Sequence, residues 1–115
     1  DHAADLVKTL WSKGVWDQTD YRLFYNINFP PVPASDVKGI RAVAQGYRPG
    51  TRFSAESHIA PNSRRFLWIR SGRQDVPTAP GTDAHANLEG YITITPMRAD
   101  LTAHDAIDDL RAAFE

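Results

Sequence analysis

Pro80-Gly81-Thr82-Asp83-Ala84-His85-Ala86-Asn87-Leu88-Glu89-Gly90-Tyr91-Ile92-Thr93-Ile94-Thr95-Pro96-Met97 is the stretch on which the reading of this chain turns. Thr82 and Asp83 are helix-capping types, and the residues through Leu88 are predicted to form a short helix that Gly90 terminates. Tyr91 to Thr95 follows at once, and β-branched residues at that density predict a strand. Pro96 to Asp100 is a short connector. The last helix is predicted to open near Thr102, where Thr102-Ala103-His104-Asp105 approaches a capping box. Ala106, Ile107, Leu110, Ala113 and Phe114 would form its apolar face.

Working outward, Leu6, Val7, Leu10 and Trp11 place a first helix over about Ala3 to Lys13, with Gly14 as a left-handed stop. Trp11 and Trp16 are read as core aromatics in preference to a ligand cleft. Tyr21 to Phe29 reads as a strand, ended by Pro30, Pro31 and Pro33. The Asn26 and Asn28 amides on that strand are expected to tie down a neighbouring loop. A second strand is predicted from Gly39 to Gln45, and Gly46-Tyr47-Arg48-Pro49-Gly50 is turn chemistry, with two glycines able to take positive φ. Thr51 to Ile59 and Arg65 to Arg70 are extended runs separated by Pro61-Asn62-Ser63, the pattern of an antiparallel hairpin. Ser71 to Pro80 is a polar, proline-rich loop.

Composition bounds the chemistry. The 115 residues suffice for one modest core, and 42% hydrophobic with 23% charged residues is ordinary globular usage. The chain has no cysteine, which excludes disulfides and thiolate metal sites. No apolar run approaches the roughly 20 residues needed to cross a bilayer, so a soluble, cytoplasmic chain with no membrane partner is expected. The first residue is Asp1, which reads as a clipped or partial product. Net charge is −1. Lys38, Arg41, Arg48, Arg52, Arg64, Arg65, Arg70 and Arg73 nevertheless concentrate positive charge in the middle, and the C-terminal stretch is acidic. Such a stripe, with Tyr47, Phe53, Phe66 and Trp68 interleaved, has the footprint of phosphate or nucleic-acid binding. A solvated or subunit-contacting hairpin is the preferred reading, and nucleic acid is not expected as a partner.

Taken by themselves the residues assemble no catalytic constellation. His2, His58, His85 and His104 contain no two histidines at the i, i+4 spacing of a helical zinc site. His85 is the best placed of them, but a surface histidine on a short helix is the preferred reading. Asp108 and Asp109 project about 100° apart on a helix and are read as solvated. No nucleophile elbow, Walker sequence or G-x-G-x-x-G is present. No catalytic residue and no metal ligand is therefore assigned.

Four blocks, in order, carry a resemblance. Pro80-Gly81-Thr82-Asp83 leading to Gly90-Tyr91-Ile92-Thr93-Ile94-Thr95-Pro96 and then Asp100-Leu101-Thr102-Ala103-His104 is similar to the closing segment of the SurE (survival protein E) nucleotidase family. Tyr25-Asn26-Ile27-Asn28-Phe29-Pro30 is similar to that family's L-N-x-N-x-P strand, and Lys38-Gly39-Ile40-Arg41 to its K-G-I-R. The family's N-terminal half, with its N-D-D-G metal motif, is absent. The resemblance implies an α/β chain: the C-terminal part of a Rossmann-like SurE fold, a mixed sheet with a protruding β-hairpin (about 46–70) and a C-terminal helical arm (about 96–115), forming one partial domain over 1–115. It implies a 5'-nucleotidase acting on nucleoside monophosphates with Mg²⁺ or Mn²⁺ as full-length protein, and a homo-oligomer, dimer or tetramer. The fragment alone is expected to be inactive, and a non-catalytic oligomerisation or interaction module is the alternative. Gly81, Thr82 and Asp83 are the candidate substrate-proximal loop, and Asp100 and His104 the candidate arm hinge.

Overall fold

The computed structural model describes residues 2–17, 19–50 and 52–115. The chain forms helix α1 (His2–Lys13), strands β1 (Phe24–Asn28), β2 (Ile40–Ala42), β3 (Ser54–Ile59) and β4 (Arg65–Arg70), helix α2 (Asp83–Leu88), strand β5 (Ile92–Met97) and helix α3 (Ile107–Phe114). Short 3₁₀ turns cover Ala34–Asp36 and His104–Ala106. It divides into two compact units, Asp1–Asn26 with Pro96–Glu115, and Ile27–Thr95. Three strands form a sheet in the order β1-β5-β2, and β3 and β4 form a separate two-stranded sheet.

Within Ile27–Thr95, β2 lies parallel to β5, with Ile40 opposite Ile92, Arg41 opposite Thr93 and Ala42 opposite Ile94. The pairing runs past the strand ends, through Lys38 N–H to Gly90 O (3.0 Å), Ile92 N–H to Gly39 O (2.9 Å) and Val43 N–H to Ile94 O (3.0 Å). β5 carries the core: Ile92 and Thr93 are both 0% exposed, and Ala86 of α2 is buried with them. Asn87 ties α2 to the sheet by donating to the carbonyls of Asn28 and Tyr91, each at 3.4 Å. The expected tie by the Asn26 and Asn28 amides is corrected here: the amide that makes the link is Asn87, and Asn28 takes part through its main-chain carbonyl. Among the described residues, the buried hydroxyls of Thr93 and Thr95 have no hydrogen-bond partner.

The hairpin is antiparallel, with Ser54 opposite Arg70 and Ile59 opposite Arg65. Thr51, where the first run was expected to begin, lies outside the described residues, and the strand itself starts at Ser54. Ser63 closes the turn at φ 61°. Gly46 and Gly50 divide the two uses of glycine between them. Gly50 takes φ +73°, whereas Gly46 lacks a positive φ and is required by close approach: a Cβ there would stand 2.9 Å from Thr82 Oγ1 and 3.1 Å from Ala84 Cβ.

In the unit formed by Asp1–Asn26 and Pro96–Glu115, only Leu6 of the α1 apolar face is fully buried. Gly14 is not left-handed; a Cβ there would lie 2.3 Å from Leu10 O. That carbonyl accepts from both Gly14 N–H (2.8 Å) and Trp16 Nε1–H (3.1 Å), which is how the helix ends. Trp16 meets Tyr25 edge-on at 5.2 Å, and Tyr25 OH donates to Val15 O at 2.6 Å. The expected capping box at Thr102 does not form. Residues 101–103 are irregular and α3 begins only at Ile107, without a side-chain cap.

Burial on β5 sets the expected mutational response. Ile92→Ala should lower stability by about 2–5 kcal/mol, the range for emptying a core aliphatic site. Thr93→Val, which removes an unpartnered buried hydroxyl, should leave the melting temperature unchanged or raise it. Denaturant melts of the two variants check both, and a marked loss of stability in Thr93→Val would mean that its hydroxyl is hydrogen-bonded.

Candidate functional site

The loop entering α2 is fixed from both sides. Gly81 takes φ +80°. Thr82 is the N-cap of α2: its Oγ1 accepts from His85 N–H at 3.4 Å and donates to Ala79 O at 2.7 Å. One carboxylate oxygen of Asp83 accepts from Ala84 N–H and Gly46 N–H, each at 2.7 Å. Ala44 N–H donates to Gly81 O (3.3 Å) and Asp83 N–H to Ala44 O (2.9 Å), a parallel bridge between Ala44 and Thr82. Gly81, Thr82 and Asp83 are therefore brought together with Ala44 and Gly46. The Gly46 partnership has no local sequence signal, because the two segments are far apart in the chain.

At the other end of α2, Glu89 is shared. Arg41 Nη1 stands 3.0 Å from its carboxylate, and the Arg41 guanidinium lies 3.6 Å from the centre of the Tyr91 ring. His85 Nε2 is 3.6 Å from the other Glu89 oxygen, and His85 Nδ1 is 3.1 Å from Thr78 O. The middle arginines are in part consumed locally: Arg70 pairs with Glu56 (3.3 Å), Arg73 with Asp75 (2.8 Å), and Arg48 donates to Gln74. His58 is exposed, stacking on Phe66 at 5.7 Å beside Glu56. Asp108 is almost fully exposed, with Arg111 at 3.2 Å.

The arm root is built on two carboxylates. Asp17 pairs with Arg98 and also accepts from Leu23 N–H at 3.2 Å. The Arg98 hydrogen bond holds the Asp17 carboxyl below its ordinary value. Asp100 Oδ2 meets His104 Nε2 at 2.6 Å, and Asp100 Oδ1 accepts from Thr102 N–H at 2.9 Å. The Thr102 side chain, then His104, then the Thr102 N–H push the Asp100 carboxyl far below the usual carboxylate range. The D-x-T spacing is the sequence signal for this turn, since aspartate bonds its own backbone two residues on.

Trp11 and Trp16 are not core residues. They are 82% and 50% exposed and line an open groove of about 330 Å³. Among the described residues, no group of three or more His, Cys, Asp or Glu is placed to hold a metal ion. Among the same residues, no helix is long and apolar enough to cross a membrane.

A parallel ladder, a separate hairpin and a terminal helix mark an α/β segment with a C-terminal arm, and relatives with that architecture are plain. The chain is 61% identical over 111 residues to 5'-nucleotidase SurE of Cereibacter sphaeroides, covering 96% of this chain and 42% of that protein. It is 59% identical over 113 residues to 5'-nucleotidase SurE of Ruegeria pomeroyi, covering 98% of this chain and 44% of that one. The crystal structure of the SurE protein from Aquifex aeolicus superposes with a TM-score of 0.66 at 27% identity, covering 99% of this chain and 44% of that chain. No protein-family profile matches. The chain belongs to the SurE family and corresponds to its C-terminal portion, spanning less than half the length of these relatives.

The depressed Asp100 value gives a signed pH expectation. A carboxylate lowered by folding contributes its stabilisation fully above the unfolded value, roughly 3.9, and loses it as pH falls through the folded value. The turn at 100–104 should therefore survive to about pH 4 and open only in stronger acid. Carboxyl-detected NMR titration of Asp100 checks this, and an ordinary aspartate midpoint would refute it.

Proposed function

We propose that these residues form the C-terminal portion of a metal-dependent 5'-nucleotidase that releases phosphate from nucleoside monophosphates. The observation that carries this reading is the 61% identity, over 111 residues, to a protein named 5'-nucleotidase SurE. A phosphomonoester carries roughly two negative charges near neutral pH. A divalent cation polarises its oxygens and activates water, and Mg²⁺ or Mn²⁺ suits hard oxygen ligands. The described residues offer no donor cluster that fits such an ion; in this reading the metal is held by residues outside this chain, and no catalytic step is routed through it here. What the chain supplies in this reading is scaffold: the sheet, the Gly81–Asp83 loop as a substrate-proximal element, and an arm hinged at Asp100 and His104. A homo-oligomeric, cytoplasmic enzyme, dimer or tetramer, completes the proposal.

The second reading, a non-catalytic oligomerisation module, is favoured by apolar exposure on the hairpin and arm, where Leu67, Ile69, Leu110 and Phe114 all face solvent.

Phosphate release separates the readings. The 115-residue chain should show no turnover on nucleoside monophosphates, with or without Mn²⁺. Joined to the N-terminal portion of the Cereibacter relative, it should turn over in a chelator-sensitive manner. Failure of the joined protein, once folded, would overturn the enzymatic reading, and metal-dependent release by the short chain would overturn the placement of the metal.

Asp83→Ala in that active protein tests the loop. Its carboxylate satisfies two backbone N–H groups, so the change should cost about 1–3 kcal/mol of stability. A fall in turnover that persists well below the melting transition supports a substrate-proximal role. A lowered melting temperature with normal turnover assigns Asp83 to the cap alone.

A further inference from the structure

We propose that His85 is a proton-dependent latch that holds the loop Ser71–Pro80 onto α2. The ring sits between two oxygens of different kinds, Thr78 O at 3.1 Å from Nδ1 and a Glu89 carboxylate oxygen at 3.6 Å from Nε2. A carbonyl only accepts, so Nδ1 must carry the proton, and in the neutral ring Nε2 then turns a lone pair toward a carboxylate. Taking up one proton from solvent at Nε2 converts that opposition into an ion pair and strengthens the Nδ1–H bond to Thr78. The latch is thus tight when His85 is charged and loose when it is neutral.

The surroundings fit a switch more than a fixed pair. The His85 side chain is about one-third exposed, which gives the proton access. Glu89 is already held by Arg41, which rests on Tyr91, with Lys38 6.0 Å from the same ring. Arg41 tempers the negative charge that His85 meets and keeps Glu89 in place in both states. From the N-terminal turn of α2, the Asp83 carboxylate is occupied by Gly46 and Ala84 N–H groups. On the loop side, the charged pair Arg73 and Asp75 is satisfied within itself, and among the described residues the loop group that His85 meets is the Thr78 carbonyl. Residue 79 is held separately through the N-cap of α2, Thr82 Oγ1 donating to Ala79 O at 2.7 Å, a bond that does not titrate. Protonation therefore regulates the grip on residue 78 while residue 79 stays pinned. The segment controlled this way runs directly into Gly81–Asp83.

Hydrogen–deuterium exchange across residues 71–80, corrected for intrinsic rates and referenced to the buried amides of β5, tests the latch in the intact protein. Loop protection should be about twofold higher at pH 5.5 than at pH 8, the scale of one i, i+4 pair. His85→Gln and Glu89→Gln should each abolish that difference. Ring ¹⁵N shifts of wild-type His85 should show the Nδ1–H tautomer at pH 8, which keeps the test decisive if a variant fails to fold. Protection independent of pH, a pH effect that survives His85→Gln, or an Nε2–H tautomer would each overturn the proposal. None of these readouts depends on the enzymatic reading.

Discussion

The parallel pairing of Ile40–Ala42 on Ile92–Ile94 is the constraint from which the arrangement of residues 27–95 follows. Parallel strands cannot be joined by a tight turn and need a crossover of a dozen or more residues. Here residues 43–91 make that crossover, and both the hairpin and α2 lie within it. The strip of main chain from Lys38 to Gly46 does two jobs in succession. Through Val43 it pairs with Gly90–Ile94, and from Ala44 it pairs with the Gly81–Asp83 loop. One extended segment thereby sets the distance between the end of α2, where β5 begins, and its start, where Asp83 sits.

That double attachment explains how so short a helix persists. A helix of six residues is far below the length that is stable alone in water. α2 is held instead by its ends: Thr82 and Asp83 satisfy first-turn amides, while Asn87 and the Glu89–Arg41 pair bind the last turn to the sheet. Gly46 belongs to the same device, because its missing Cβ lets the main chain reach the Asp83 carboxylate. The loop conformation is a consequence of packing and capping together, and neither the threonine nor the aspartate is free to move alone.

Local chemistry was legible and distant pairing was not. The bounds of β4, the extent of α2 and the left-handed Gly90 are written in nearby residues, since turns and β-branched runs act over a few positions. The Asp100–His104 contact was also foreseeable from spacing, although it forms over a D-x-T turn and a 3₁₀ segment in place of an α-helical turn. The parallel partner of β2 left no local trace, and with it went Gly46 and the Arg41–Glu89–Tyr91 stack. Helical spacing predicts a core position for Trp11 because it reports which residues share a face; it does not report what covers that face. A glycine after a helix predicts backbone freedom at Gly14, whereas the crowded carbonyl of Leu10 is what excludes a side chain there.

The same limit governs the hairpin and the arm. In the observed register, Ala55, Ser57, Ile59, Leu67 and Ile69 share one face of the ribbon, and Phe66 and Trp68 stand on the other with His58 and Glu56. Both faces leave large apolar side chains exposed, and a two-stranded ribbon in water is marginal by itself. α3, eight residues long with Phe114 85% exposed, is no better placed. Surface of this kind is found in proteins where something else covers it. Cover by further residues of one polypeptide and cover by a second copy are distinct cases. The two differ in thermodynamic form. Cover from the same polypeptide acts at a fixed effective concentration, while cover from a second copy obeys mass action and makes stability depend on protein concentration. The hairpin and α3 leave large apolar side chains that the described residues do not cover, whereas the β2–β5 ladder and the α2 caps are built from contacts within them.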